Sequence, residues 1–473
     1  MEYKDKGRYT SLVSYPATQN PFTFYKLAKD YDIRGNVIDT FAGTGRVMLG
    51  IVKYLSETKK HGNLYLNDVN PFAQYAQKLY IIHPLKYGHK IVFKLNEMFF
   101  ELYKKLKLNY YSDAEKYVFR YKTYCHKCKS YQFIYKKDRK YWCKKCESEV
   151  IFDSNLYEEI EYTEKDGKVS YDVQHENELY KYAKEQLIER NNEFTINWKN
   201  AILTTGNKHL MISRNIGIFN SFSDYSNDRI KLFVLDYTKA LNQLNIESYL
   251  YDYFTSIVLS YLSNSSRSSV TDRTITFSNI FNFFTDYYVE FNPISPYRSD
   301  IKVKFKTKIS SLSDLLEKFG FNSQYVKAFQ SNYPAQEIAY ESKYFDWIVT
   351  DPPYFDFVYS FYDISLMQLQ ALQIMYQTLY PQQINEYRAD MDFIKFYTDV
   401  VDEQYRILKY GGRLAVIINH SNAENIKLFE KMYENAGFIK EDERYDVNVI
   451  KASLTANLNE TRAEKAKILI YKK

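Results

Sequence analysis

No apolar run in this chain approaches the roughly 20 residues needed to span a bilayer. Runs such as LFVL at 232–235 and IFNFF at 280–284 fall far short. The opening MEYKDKGRYT mixes charges of both signs and lacks the apolar core of a secretory signal. No membrane span or membrane partner is expected, and a cytoplasmic protein is expected. Cysteine is scarce, with four residues, all between 125 and 146, so a disulfide framework spread along the chain is excluded. Internal repeats and low-complexity tracts are missing too, and no nuclease motif is visible.

At 473 residues, 45% of them hydrophobic, the chain exceeds one ordinary core, which predicts two or three globular domains. Its net charge is only +6, but residues 101–150 hold 14 Lys or Arg against 6 Asp or Glu. A basic block interleaved with tyrosines, among them Tyr103, Tyr110, Tyr121, Tyr124, Tyr131, Tyr135 and Tyr141, suits a polyanion with stackable bases. A solvated face of a Lys- and Tyr-rich protein accounts for it as well.

VIDTFAGTGR, residues 37–46, reads as a buried strand from Asn36 to Ile38, a glycine turn, and a helix over about 47–55. Gly43 and Gly45 let the backbone approach a ligand closely. The third glycine of the dinucleotide fingerprint is absent, since Met48 stands in its place, which disfavours a pyrophosphate cradle. The next strand, NLYLN, ends at Asp68, placed to accept hydrogen bonds from ribose hydroxyls. Asn70-Pro71 then reads as the cap and first turn of a helix. An adenosine without phosphates suits this arrangement, and S-adenosylmethionine is such a ligand. The expected cofactor contacts are Asp39, Phe41, Gly43, Gly45 and Asp68, with Asp39 orienting the turn or the cofactor's amino end.

YFDWIVTDPPYFDF, residues 344–357, is an apolar strand delivering Asp351, Pro352, Pro353 and Tyr354 to the carboxyl end of a sheet. An exocyclic amino group is a poor nucleophile because its lone pair is delocalised into the ring. Asp351 and the backbone carbonyl of Pro352 can accept both of its N–H bonds and draw the nitrogen towards a tetrahedral form. The two prolines stiffen the loop, and Tyr354 offers a face for an extracted base. Alone, an acid before two prolines is also an ordinary strand-ending turn. YRILKYGGRLAVIINH, residues 405–420, reads as helix, a Gly411-Gly412 turn and a buried strand. GFIKEDERYDVNVI and a strand from about Lys467 read as the closing antiparallel pair.

The cysteines form Cys125-x2-Cys128, then fourteen residues, then Cys143-x2-Cys146. This is the spacing of a four-cysteine zinc ribbon with no open coordination position, hence a structural zinc. Two disulfides are the alternative, disfavoured in an intracellular chain. If all four thiolates hold zinc, none remains as the nucleophile that a cytosine C5 methylation needs.

FAGTG early, a ribbon-bearing insertion and TDPPYFDFVY late resemble the adenine-specific DNA methylases that contain a zinc ribbon, a family of class I S-adenosylmethionine-dependent amino-methyltransferases. YSFYDISL and EQYRILKYGG continue the likeness, which covers about residues 14–80 and 335–473. The resemblance implies an α/β, Rossmann-like methyltransferase interrupted by a large insertion: 1–100 and 336–473 as its two parts, 101–175 as the ribbon, 176–335 as a mostly helical recognition region. It implies transfer to adenine N6 in a specific DNA sequence, within a modification or defence system that could include a nuclease partner. Cytosine N4, an RNA base and a catalytically idle nucleic-acid-binding scaffold are the alternatives. SYPATQNPFTFYKLAKDY replaces the family's usual start. Pro16 and Thr18 in it are candidates to cover the cofactor, though an ordinary N-terminal cap explains the segment equally. Arg267 and Arg273 in SNSSRSSVTDR suit phosphates, and a flexible surface loop accounts for that stretch as well. The helical stretch from Ile230 to Leu262 is expected to be core.

Overall fold

The computed structural model describes residues 11–13, 19–138, 140–151, 157–201, 226–263, 265, 287–295, 300–353, 361–381, 384, 391–418, 422–446 and 466–473. Pro16, Thr18, Arg267, Arg273 and Tyr354 lie outside the described residues. Along the chain the strands are β1 Gly35–Asp39, β2 Gly62–Asn67, β3 Lys116–Cys125, β4 Ser130–Lys137, β5 Lys140–Cys143, β6 Tyr157–Lys165 and β7 Lys168–Ser170. They continue as β8 Tyr287–Phe291, β9 Val326–Ser331, β10 Phe345–Thr350, β11 Leu408–Ile418, β12 Ile439–Asp446 and β13 Ala466–Lys472. The chain divides into two compact units. One comprises Met1–Lys94, Ile309–Asp363 and Ile384–Lys473, the other Leu95–Lys308 and Ile364–Gln383.

The first unit is built on a seven-stranded sheet of order β12-β13-β11-β10-β1-β2-β9. Every neighbouring pair from β11 to β9 is parallel, and β13 runs antiparallel to both β11 and β12. This is the expected Rossmann-like sheet, in which parallel neighbours require crossover connections. Strand order reverses between β1 and β10, which makes the carboxyl ends of those two strands the topological switch point. Ile38, Tyr65, Phe345, Ile348, Val416 and Leu469 belong to one buried core on this sheet.

Helix α1, Pro21–Tyr31, starts at Asn20, whose side chain accepts the Phe22 N–H, and Pro21 supplies a preset first turn. Helix α2, Arg46–Thr58, springs from Gly45, and α3, Pro71–Gln77, repeats the Asn-Pro cap with Asn70 accepting from Phe72. Helices α1 and α2 cross at Gly50. A β-carbon there would lie 2.2 Å from the Pro21 carbonyl oxygen and 2.6 Å from the Tyr25 nitrogen, so only glycine admits this crossing.

The second unit holds a six-stranded sheet of order β5-β4-β3-β6-β7, with β8 also pairing β3. Long β3 pairs β6 through Lys116–Lys122, β8 through Lys116–Arg120 and β4 through Lys122–Cys125. Helices Gln174–Asn191, Asp228–Asn242 and Ser248–Leu262 accompany it. Its core encloses an ion pair: Arg229 Nε lies 3.0 Å from Glu290 Oε1, both side chains being fully buried. Asn227 and Tyr111 also donate to the Glu290 carboxylate, at 2.5 and 2.6 Å. The Arg229 guanidinium lies 4.0 Å from the Tyr117 ring centre. Such a pair is tolerated only because its hydrogen bonds are filled.

Four expectations need correction. Residues 326–331 do not belong to the insertion but form β9, the edge strand beside β2, whose half-exposed residues give no apolar run to announce it. Residues 364–383 belong to the second unit, where Met375 O accepts from Tyr251 and Ala201 O accepts from Gln373. The ribbon strands are not a separate module, because β3 continues into pairing with β6 and β8. Gly411 and Gly412 do not turn between elements. They form an irregularity inside β11, where Phe345 pairs Leu408 and Trp347 pairs Arg413, with Gly411 at φ +74°.

Candidate functional site

Three carboxylates converge at the carboxyl ends of three adjacent strands of the first unit. Asp39 ends β1, Asp68 follows β2 and Asp351 follows β10. The backbone turn between β1 and α2 runs through Gly43 at φ +50° and Gly45 at φ +83°. Those left-handed angles are ones an ordinary residue rarely adopts. The turn is pinned on every side. Ala42 N–H donates to Asn67 O at 3.0 Å and Gly45 N–H to Ala42 O at 2.7 Å, while the Gln77 amide donates to Gly43 O at 2.9 Å.

Asp68 takes part in this pinning. Its Oδ2 accepts the Gly43 N–H at 2.8 Å and its Oδ1 the Asn70 N–H at 2.9 Å. The carboxylate that sequence assigned to a ribose thus first holds the glycine turn against the start of α3. Each oxygen retains a further lone pair for a ligand hydroxyl. Burial pushes Asp68 up to about 6, against the two backbone donors that pull it down.

Asp39 is fully buried. Its Oδ1 accepts the Phe41 N–H at 3.1 Å and the Thr350 hydroxyl at 2.7 Å, while its buried Oδ2 has no hydrogen-bond partner among the described residues. Burial pushes this acid up to about 8, opposed by the donations from Thr350 and Phe41 and reinforced by the charges of Asp351 and Asp68. The expectation that Asp39 orients the turn has its geometry in the Phe41 bond. Phe41 itself is half-buried and packs against the first unit's core.

Sequence reasoning missed the side chains that tie the two motifs together. Thr350 immediately precedes Asp351 and bonds Asp39, and the Thr40 and Thr350 hydroxyls meet at 3.2 Å. Gln404 donates to Thr40 at 3.0 Å and accepts from Tyr433 at 3.1 Å, all buried. Gln19 donates from its amide to Asp351 Oδ2 at 2.6 Å across 332 residues of sequence. Pro352 is buried and Pro353 half-buried.

An unpartnered buried oxygen, two neighbouring carboxyls and a glycine turn suit a small ligand carrying positive charge and hydroxyls. Positive charge near Asp39 would favour its ionised form.

In the second unit Cys125, Cys128, Cys143 and Cys146 have all four sulfurs within 4.8 Å of one another. Cys125 and Cys146 are 3.5 Å apart, Cys128 and Cys143 3.8 Å, and all four are unpaired thiols. Tetrahedral Zn–S bonds of about 2.3 Å place sulfurs about 3.8 Å apart, so the donor set fits the metal. The Cys128 N–H donates to Cys125 Sγ at 3.4 Å, and the Ser148 hydroxyl lies 2.9 Å from Cys146 Sγ. Such donors stabilise thiolates.

The basic block is less cationic than its sequence count. Lys116, Arg120 and Lys122 on β3 pair with Glu164, Glu161 and Glu159 on β6, and Lys140 pairs with Glu149. Lys127, Lys129, Lys144 and Lys145, beside the cysteine knuckles, are exposed and make no ion pair among the described residues.

None of the protein-family models and none of the curated proteins matches the chain. Among solved structures it is similar to a candidate DNA modification methylase from Thermus thermophilus, at 17% identity and TM-score 0.18, over 30% of this chain and 52% of that one. It is also similar to an S-adenosylmethionine-dependent methyltransferase of Methanosarcina mazei, at 11% identity and TM-score 0.19, over 34% of this chain and 76% of that one. A third likeness, at 12% identity and TM-score 0.21, is to the [4+2]-cyclase SpnF, over 36% of this chain and 63% of that one. The match spans about half of the Thermus protein. Likenesses this distant establish neither a reaction nor a substrate for this chain.

Proposed function

We propose that the chain transfers a methyl group from S-adenosylmethionine to the N6 amino group of adenine in DNA. The observation that carries the reading is the convergence of Asp39, Asp68 and Asp351 at the switch point, around a turn of two left-handed glycines. The cofactor, when bound, supplies an electrophilic methyl on a sulfonium. Gly43 and Gly45 admit it, Asp68 offers lone pairs to its ribose, Phe41 flanks it, and Asp39 meets its positive charge.

Asp351 and the Pro352 carbonyl would accept the two N–H bonds of the target amino group and hold its lone pair in line with the sulfonium methyl; the N–C bond would form as the S–C bond breaks, S-adenosylhomocysteine would leave, and the surplus amino proton would pass to solvent water. Rate arises from positioning and fixed acceptors, without a covalent intermediate on the protein. Pro353 stiffens the loop, and Tyr354 provides the stacking face for a base turned out of the helix. Cys125, Cys128, Cys143 and Cys146 hold a structural zinc. The knuckle lysines Lys127, Lys129, Lys144 and Lys145 meet backbone phosphates, where each neutralised phosphate adds affinity by counterion release.

Asp351→Ala tests the reading. It should abolish methyl transfer while calorimetric affinity for S-adenosylmethionine stays within about twofold, because the residue binds the target and not the cofactor. Retained turnover would remove Asp351 from the mechanism.

A further inference from the structure

We propose that Gln19 is a positioning residue for Asp351, locking the carboxylate that accepts the target amino group to the frame that holds the cofactor turn. This rests on the methyltransferase reading above.

The two residues lie 332 positions apart, yet the Gln19 amide donates to Asp351 Oδ2 at 2.6 Å. A donor on an ionised acceptor makes one of the stronger hydrogen bonds available to a side chain. It restricts rotation of the carboxyl group. Gln19 is itself rigidly mounted. Its neighbour Asn20 is 5% exposed and caps α1 through the Phe22 N–H, and Pro21 fixes the first helical turn. Helix α1 is seated on α2 at Gly50, in backbone contact, and α2 begins at the glycine turn. One continuous path of fixed contacts therefore runs from Gly45 along α2, across Gly50 into α1 and out through Gln19 to Asp351. Thr350 makes a second tie, from the residue before Asp351 to Asp39 at the start of the same turn. Donor and acceptor geometry are thereby set by the same helix pair. A shift of about 1 Å between reacting groups can cost on the order of a hundredfold in rate.

The experiment compares wild type, Gln19→Ala and Gln19→Glu as full-length protein. Steady-state transfer from methyl-labelled S-adenosylmethionine to unmethylated DNA is read alongside calorimetric cofactor affinity. Both variants should lose kcat by about tenfold to a hundredfold, with cofactor affinity within about twofold of wild type. Gln19→Glu is the decisive variant: it keeps shape and volume but replaces the donor with a charge that repels Asp351, so it should be at least as impaired as Gln19→Ala. Wild-type kcat in Gln19→Glu would reduce Gln19 to a space-filler and overturn the proposal. A faster Gln19→Ala would also overturn it, because Gln19 would then be occupying the target's place. A wild type that binds cofactor but methylates no nucleic acid would overturn the functional reading itself, and the role of Gln19 with it.

Discussion

Asp39→Asn gives a stability change whose pH dependence follows from one buried oxygen. Unfolded, this carboxyl titrates near 3.8; folded, burial holds it at about 8. The folded-state value is raised, so the stability Asp39 contributes is complete below pH 3.8 and is lost as pH climbs through 8. At about 1.4 kcal/mol per unit, keeping Asp39 protonated in the fold while the unfolded chain ionises costs about 2 kcal/mol of stability at pH 5, about 4 at pH 7 and about 5 at pH 8. Asparagine keeps the oxygen that accepts from Phe41 and Thr350 but cannot ionise. Its amide meets the place where Oδ2 has no partner among the described residues, a pH-independent cost of about 1–3 kcal/mol. The variant should therefore be close to wild type in stability at pH 5 and gain on it by about 3–4 kcal/mol by pH 8. Hydrogen exchange of peptides covering β1 and β10, compared between the two proteins at each pH from 5 to 8, reads the difference with intrinsic exchange rates cancelled. A difference that stays constant within about 1 kcal/mol across that range would refute the assignment of a buried, protonated Asp39.

Binding of a cationic cofactor favours ionised Asp39. Its affinity should rise with pH up to about 8, with proton release visible in calorimetry across buffers of different ionisation enthalpy; a pH-independent affinity would contradict this. Gly45→Ala places a β-carbon 2.8 Å from both Ile81 Cδ1 and Leu66 Cδ2 at φ +83°. It should cost about 1–3 kcal/mol in denaturant unfolding and weaken cofactor binding by about tenfold or more. Metal analysis should find one zinc per chain, and chelation should expose all four thiols to alkylation and lower exchange protection across β3 to β5. Native protein free of metal with readily alkylated cysteines would contradict the zinc site.

Much of the candidate site was legible because each part ends a strand with strong local grammar. Gly43 and Gly45 need left-handed backbone, and Asn70-Pro71 can only begin a helix, so the β1–α2–β2 order follows from local rules. The same Asn-Pro grammar begins α1 at Asn20-Pro21, but nothing local announces that the preceding Gln19 meets Asp351. Strand β9 escaped because an edge strand pairs on one side and shows no continuous apolar run. The helix over 361–376 buries polar Gln368, Gln370 and Gln373 along with its apolar residues, and a pattern without a polar face states that it is buried without stating in which core. Buried Arg229 and Glu290 run against the rule that charge marks surface, since only their mutual contact and the tyrosines around them permit it. The basic block was overstated because its partners on β6 lie in a segment that the charge count left out.

The most direct test of methyl transfer to DNA incubates the purified protein with methyl-labelled S-adenosylmethionine and, separately, unmethylated genomic DNA and bulk tRNA, followed by nucleoside mass spectrometry. Label in N6-methyldeoxyadenosine, absent from the tRNA digest, is the predicted result. Label in tRNA alone, or none in either pool from protein that binds the cofactor, would contradict it.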